Sequence, residues 1–500
     1  MKILLVCPEH ENTFWNINEV LKISGKKSAF PPLGLLTIST MLPKKWEKKL
    51  IDLNCENLLD DHIKWADYVF ISAIVGQKKS TKKIINIVKK MKKPIIAGGP
   101  LFTTGWEEFT EVDTFVLGEV EDIFSVFIKD LKNCTLKKIY SNEKSPDIRK
   151  TPIPDWDLIN MPNYYSMSMQ LSRGCPYNCE FCDVVQLNGR ISRMKSKQQL
   201  IAELDSLYHI RWRGKVFFVD DNFIGNIAKI KKEYLPSIIE WQKKKKYPFT
   251  FNTQVSINLA DDDELMELMT NAGFVTIFVG IETPNTDSLK ETGKHQNRNR
   301  DLVESVKKIQ NMGLEVWGGF IVGFDSDKIS IFQRQIEFIQ KSGIVYAMVT
   351  ILTVLPKTRL YRRLKETKRL IKSIGTNNDW NVLKFIPKMG VDTLIKGYER
   401  VMSTIYSPES YYERIKTFLK EFKPKKIKPQ KYGIYHIRGL MGSIWFLGFM
   451  QAGRYYYWKL IFWSLFRKPG LLPYAIELPL NLIHFKTLTF PPNIGHGLQK

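Results

Sequence analysis

Three of the chain's six cysteines fall within eight residues, in the run Ser172-Arg173-Gly174-Cys175-Pro176-Tyr177-Asn178-Cys179-Glu180-Phe181-Cys182-Asp183, spaced C-x3-C-x2-C. Cys7, Cys55 and Cys134 stand singly elsewhere. Cysteine thiolates are the usual protein ligands of iron-sulfur clusters, so three of them can hold three irons of a 4Fe-4S cubane and leave the fourth iron open to a small chelating molecule. Two other chemistries use such residues. A disulfide with a spare thiol suits an exported protein, whereas a 500-residue chain with few cysteines and a first apolar run too short for a signal peptide reads as cytosolic, where disulfides are rare. A zinc site wants a fourth Cys or His close by, and the next histidine after the motif is His209. The expected occupant is the cluster, with Cys175, Cys179 and Cys182 on iron and the other three cysteines off it.

The spacing, the strand-like run 165–171 before it and the aromatic Phe181 before the last cysteine resemble the radical S-adenosylmethionine (SAM) superfamily. That resemblance implies that the amino and carboxylate groups of SAM chelate the open iron, and that an electron from the cluster cleaves SAM to a 5'-deoxyadenosyl radical. The elements that must position the motif follow it to about residue 370. Periodicity predicts strands at 216–219, 249–255, 276–281, 316–322 and 347–352, separated by helices at 196–208, 228–243, 262–272, 300–312 and 329–342. With the cysteine strand they suit the partial (β/α)6 TIM-type barrel of that superfamily, whose chemistry sits at the carboxyl ends of the strands.

Those ends are polar: Asp220-Asp221-Asn222, Asn252-Thr253-Gln254, Gly280-Ile281-Glu282-Thr283-Pro284, Gly323-Phe324-Asp325-Ser326-Asp327 and Leu355-Pro356-Lys357-Thr358-Arg359. Any one of these residues serves equally well as a turn former or helix cap, but their recurrence after five strands argues for a site. By the resemblance, Asp220, Asp221, Asn222, Asn252, Gln254, Gly280 and Glu282 are the expected SAM contacts. The two aspartates would receive the SAM amino group and Gly280 would admit adenine or ribose, although the chain lacks the plain Gly-Gly-Glu form of the second-strand segment.

Residues 1–140 also alternate, with strands predicted at 2–6, 49–53, 68–73, 94–97 and 114–117 and an amphipathic stretch at 80–91. This is the pattern of an open, doubly wound, Rossmann-like parallel sheet, which takes ligands in the crevice beyond the strands' carboxyl ends. Phe30-Pro31-Pro32-Leu33-Gly34-Leu35, Ala97-Gly98-Gly99-Pro100 and Leu117-Gly118-Glu119 resemble the cobalamin-binding domain fused to one branch of radical SAM enzymes. The resemblance implies a corrin held along Pro8, Asn54, Ser72, Gln77, Gly98, Gly99, Gly118 and Glu119. No D-x-H-x-x-G motif is present, so no histidine is expected on cobalt. A docking platform without the cofactor is the alternative, because a sheet alone names no ligand.

Five hundred residues suggest about three domains. Closely spaced prolines (Pro146, Pro152, Pro154, Pro162) mark 141–165 as an extended linker between domains at 1–140 and 166–371. A basic, aromatic-rich, mainly helical region fills 372–500; its residues 411–500 hold 15 Lys+Arg against 3 Asp+Glu, in a chain of formal net charge +24. A basic stretch at 420–431 precedes two aromatic runs at 444–450 and 455–463, which suits either the headgroup level of an anionic bilayer or a lid packed on the barrel. Nucleic acid is not expected, since the aromatics cluster with aliphatics and are not spaced among the basic residues. No apolar run reaches the 18 or so residues of a spanning helix, so any membrane contact of this cytoplasmic protein would be peripheral, at the inner face.

The runs 218–225, 279–284 and 319–327 look like the cobalamin-type radical SAM proteins that include the hopanoid C-2 methylases. The resemblance implies methylation of an unactivated carbon of a hydrophobic, lipid-like substrate: one SAM methylates reduced cobalt, a second yields the radical, and the substrate radical takes the methyl group. A reduced ferredoxin or flavodoxin would supply electrons. The other function class is a radical SAM enzyme without cobalamin that forms C-C or C-S bonds or modifies RNA.

Overall fold

A computed structural model of the protein describes residues 1–11, 17–371, 383–425, 440–451 and 453–489. Two six-stranded sheets, every strand pair parallel, dominate it. The first contains β1 (Lys2–Cys7), β2 (Glu47–Asp52), β3 (Tyr68–Ser72), β4 (Ile95–Gly98), β5 (Thr114–Leu117) and β6 (Ile139–Ser141), in the order β2-β1-β3-β4-β5-β6. Its direction reverses at β1, which opens a crevice where β1 and β3 part. Ile3, Leu4, Leu5 and Val6 are all fully buried, the near-continuous apolar run of a parallel strand covered on both faces. Alternate residues enter two different cores: Leu4 and Val6 pack with Ile71, Val88 and Phe102, whereas Ile3 and Leu5 join a larger core that runs through Trp156 and Tyr164 into the second sheet.

The second sheet comprises β7 (Ser166–Met169), β10 (Gly214–Phe218), β11 (Phe249–Val255), β12 (Phe274–Glu282), β13 (Glu315–Val322) and β14 (Ala347–Ile351), paired in sequence order. Strands that pair with their sequence neighbours and alternate with helices make the partial (β/α)6 barrel expected. Between β7 and β10 a hairpin of β8 (Ser172–Arg173) and β9 (Arg193–Met194) brackets the cysteine loop. Neither the hairpin's two-residue strands nor the three-residue β6 was expected from periodicity, which needs longer windows.

Residues 141–165 are not a bare spacer. They make three single 3-10 turns (Ile148–Lys150, Trp156–Leu158, Met161–Asn163) and lie on the first domain, where Asp155 accepts from Ser39 Oγ at 2.7 Å. Tyr165 N and Ser166 N donate to the carbonyls of Ser28 and Ala29, so the 28–30 segment runs along the β7 edge and Phe30 meets Phe217 of β10 at 5.1 Å between ring centres.

The C-terminal region is helical. Val391–Ile405 and Pro408–Glu421 pack on helix Ile331–Ser342 of the barrel, followed by Ile444–Met450, Arg454–Arg467, Leu472–Glu477 and Asn481–Thr489. Beyond Lys425, the basic stretch 420–431 lies outside the described residues, as does much of the expected junction around 372. None of the helices searched is long and apolar enough to cross a membrane.

Candidate active site

The cysteine loop is built by local rules. Gly174 has φ +99°, and a side chain there would run into the Ile191 carbonyl, so glycine is required where the chain leaves β8. Cys175 N donates to the Gly189 carbonyl at 3.2 Å and Glu180 N to the Thr292 carbonyl at 2.8 Å, which fastens the loop at both ends. All three thiols are free of disulfides. Burial pushes them up, Cys182 to about 12, while the Lys294 ammonium pulls the other way on each. Gln296 Nε2 lies 4.0 Å from Cys179 Sγ. Thiolates that each bind a different iron need not converge on one point, and among the described residues no three His, Cys, Asp or Glu side chains do. Three uncommitted thiols in one fixed loop beside a cation fit the anionic 4Fe-4S group.

The carboxylates at the end of β10 face that loop. Asp220 is fully buried; it accepts from Leu171 N at 3.1 Å, from Ser172 Oγ at 2.5 Å and from Ser172 N. Burial pushes its carboxyl up to about 7. Asp221 accepts from Gly174 N at 2.7 Å and Asn188 Nδ2 at 2.9 Å. Asn222 exchanges bonds of 3.2 Å with Ser256 N and Oγ and so ties the ends of β10 and β11. Asn252 and Gln254 alternate with the buried Phe251 and Thr253 on β11 and share the barrel's inner face. Asn252 Oδ1 is buried without a partner, an orphan acceptor of the kind a ligand satisfies.

At the end of β12 the register slips between Gly280 and Glu282, and Glu282 sits at φ +64°. A non-glycine residue held there is strained, and such strain concentrates at functional sites. Its carboxylate pairs with Lys294 Nζ at 2.7 Å, and any side chain at Gly280 would collide with both groups. Burial alone would lower the Lys294 ammonium, but Glu282 and the nearby cysteines raise it on balance.

Sequence reasoning missed the ion cluster that clamps the motif. Glu180 is held by Arg363 through two bonds of 2.6 and 3.0 Å, and Arg363 also reaches Asp325 at 2.5 Å and Glu291 at 3.3 Å. Arg369 adds two bonds of 2.7 Å to Asp325. Against burial, Arg369 and Arg363 hold the Asp325 carboxyl below the usual range. Asp325 was visible as a strand-end residue, and Glu180 stands inside the motif. The arginines carry no sequence signal beyond their charge.

In the first sheet, the expected cobalamin residues fall into two groups. Gln77 Nε2 donates to the Pro8 carbonyl at 2.6 Å, Asn54 Nδ2 to the same oxygen at 3.3 Å, and His10 N to Asn54 Oδ1 at 2.9 Å, which knits the ends of β1, β2 and β3 together. His10 Nε2 lies 3.3 Å from Gln77 Nε2, and burial lowers its imidazole. Ser72, Gly98 and Gly99 meet at the β3 and β4 ends. Gly99, at φ +91°, leaves no room for a side chain against Ser72 Oγ, whereas Gly118, at φ +75°, borders open space. A lip of closely packed backbone facing open space fits a flat ligand such as a corrin.

Glu119 does something else. It accepts from Arg173 Nη1 at 2.8 Å and from Arg193 Nη1 and Nη2 at 2.9 and 2.6 Å, while Glu121 pairs with Arg173 at 2.8 Å. The loop after β5 is thus joined to the hairpin that carries the cysteines. Burial opposes ionisation of Glu121, yet Arg173 keeps its carboxyl below the usual value.

Comparison with known proteins agrees with this arrangement. Residues 169–339 match the family model of the radical SAM superfamily, residues 26–128 that of the B12 binding domain, and residues 358–490 that of a domain of unknown function, DUF4070. The chain is 37% identical over 490 residues to an uncharacterized methyltransferase of Synechocystis sp., covering 97% of this chain and 91% of the relative. It is 32% identical over 473 residues to the hopanoid C-2 methylase of Rhodopseudomonas palustris, covering 92% and 88%. Among solved structures it shares its fold with the cobalamin-dependent radical SAM enzyme OxsB, bound to aquacobalamin and SAM (TM-score 0.62, 16% identity, 97% of this chain and 79% of that one). It shares it also with the methyltransferase TsrM of Kitasatospora setae, bound to cobalamin and a 4Fe-4S cluster (TM-score 0.59, 14% identity, 95% and 99%). The cofactors are accordingly a 4Fe-4S cluster, SAM and cobalamin. The chain belongs to the cobalamin-dependent radical SAM methyltransferases.

Proposed function

We propose that the protein methylates an unactivated carbon of a hydrophobic, lipid-like small molecule. The observation that carries this reading is the joint between the sheets: Arg173, two residues before Cys175, is gripped by Glu119 and Glu121 beside the open backbone at Gly118. Bound in these places, the cluster with SAM supplies a carbon radical and cobalamin supplies the methyl group. The chain's own residues then have positioning work. Asp220 and Asp221 hold the turn into the cysteine loop, Glu180 and Arg363 hold its far side, and Asn252 Oδ1 and the backbone at Gly280 are left to contact SAM. Cys175, Cys179 and Cys182 ligate the iron. The name of the hopanoid methylase relative supports a lipid-like substrate, and the chain's positive charge suits docking of an acidic ferredoxin or flavodoxin donor.

The test is anaerobic reconstitution with iron, sulfide and cobalamin, followed by incubation with SAM, a reductant and a lipid extract. Expected are corrin absorbance on the purified protein, a methylated lipid, and matched amounts of S-adenosylhomocysteine and 5'-deoxyadenosine. A protein that binds no corrin, or a methylated product confined to the water-soluble fraction, refutes the reading.

A further inference from the structure

The C-terminal region turns two kinds of surface in opposite directions. On helix Arg454–Arg467, Tyr457, Leu460 and Ser464 are buried, and the helix packs on Pro408–Glu421. Its other face is apolar and exposed: Phe462 is 53% accessible, Leu465 45% and Phe466 79%. The neighbouring helix Ile444–Met450 adds Trp445 at 61%, Phe446 at 44% and Phe449 at 55%. The two faces are continuous, because the rings of Trp445, Phe449, Trp458 and Phe462 touch in succession at 6.1 to 6.3 Å between centres. Gly448 permits this close approach: its carbonyl accepts from Trp458 Nε1 at 3.0 Å, and a side chain there would lie 3.1 Å from the indole.

A surface of this kind on a folded chain needs an occupant. Charge selects it. Residues 440–471 contain Arg454, Lys459, Arg467 and Lys468 and no Asp or Glu. A second copy would bring like charges together in a chain that already carries +24. Tryptophan and tyrosine beside Arg and Lys, around an aliphatic and phenylalanine centre, match the headgroup level of an anionic bilayer, where apolar area and positive charge act together.

We infer that the outward face of helices Ile444–Met450 and Arg454–Arg467 seats the protein on an anionic phospholipid bilayer, without crossing it. The lid alternative fails for these side chains, since what packs on the barrel comes from elsewhere: Phe485 against Tyr346, and Arg414 on the carbonyl of Val345. Glu477 reaches Lys215 near the start of β10 and Phe485 meets Tyr346 just before β14, so the last helices attach at the amino ends of the barrel strands, the end remote from the cysteines. This seating goes beyond the proposed chemistry and does not depend on it.

The test is flotation of the full-length protein with vesicles of phosphatidylcholine alone or mixed with phosphatidylglycerol. Flotation is expected on the anionic vesicles and only partial release by high salt. The combined variant W445S/F462S/F466S, whose changes lie on the exposed face, keeps its circular dichroism and iron content and loses about tenfold in partitioning, the salt-insensitive part. The variant R454Q/K459Q/R467Q loses about fivefold per charge that reaches the surface. Absence of flotation on anionic vesicles overturns the inference, as does equal flotation of wild type and both variants. A concentration-dependent dimer that dissolves in the serine variant, without vesicle binding, also overturns it and assigns the face to a second copy. Corrin binding and SAM cleavage retained without flotation sink this inference alone; flotation without corrin binding sinks only the proposed chemistry.

Discussion

The two sheets are alike in size and strand direction, yet they treat their carboxyl ends differently. The first closes its strand ends mostly with neutral amides and carbonyls: Gln77 and Asn54 share the Pro8 oxygen, with Asp52 the buried carboxylate beneath them, accepting from Tyr164 Oη at 3.0 Å. The barrel closes its ends with carboxylates and arginines, several of them buried, and aims them at one loop. The difference follows from cargo. A broad corrin rimmed with neutral amides suits shape, open backbone and neutral hydrogen-bonding groups, whereas a loop carrying an anionic cluster needs stiff, charged support, and buried charges are stiff because leaving them unpaired is so costly.

The largest effect that sharpens this contrast is loss of the cluster itself. Cys175→Ala should abolish iron-sulfur absorbance and SAM cleavage, while Cys134→Ala, at an exposed site outside the motif, should change neither; iron analysis decides. Next comes the clamp. Arg363→Gln strands Glu180 as a buried carboxylate, while Asp325 keeps Arg369, so it should cost about 3 kcal/mol and speed loss of iron to a chelator, read by thermal unfolding and iron release. If the variant is as stable as wild type, the charged support is decoration. In the first sheet, Gln77→Leu should cost about 2 kcal/mol by leaving the Pro8 carbonyl and Ile74 N short of partners. It should weaken corrin binding and leave iron content unchanged, and the reverse outcome would break the division of labour.

The last effect is a pH slope. Burial holds the Asp220 carboxyl protonated up to about 7. In the unfolded chain an aspartate ionises near about 4, so between those values the folded state binds more protons and stability must fall as pH rises. Glu315, at the start of β13, is pushed up to about 7 by the same cause and adds to the slope. Asp220→Asn should flatten the fall without removing it, and urea unfolding across pH 5 to 8 is the measurement.

The sequence made the strands and the cysteines legible because period-two apolar runs and tight cysteine spacing are local signals. The expected strands match those observed to within a few residues at each end. Side-chain purpose was less legible. Glu119 reads as a crevice residue, and only the packing of two domains reveals the two arginines that occupy it. Asp220 reads as a free carboxylate, yet it is spent on Leu171 and Ser172, which lie 49 and 48 residues back along the chain. Lys294 and Gln296 have no pattern of their own, and they matter because the chain after helix Thr286–Glu291 lies beside Cys179 and Glu282. Charge pairing across such distances leaves no periodic trace.

The Glu119 joint constrains motion, and it does not act alone. Helix Asn481–Thr489 packs against helix Asn18–Ser24 of the first domain, so that domain meets the rest of the protein at the C-terminal helices, along the covalent path 141–165 and at the Glu119 joint. A body attached at three separated points has no free hinge axis. Wide opening like a pair of jaws would have to break the ion pairs of Glu119 and Glu121 with Arg173 and Arg193, so admission of cofactor and substrate falls to side chains and short loops.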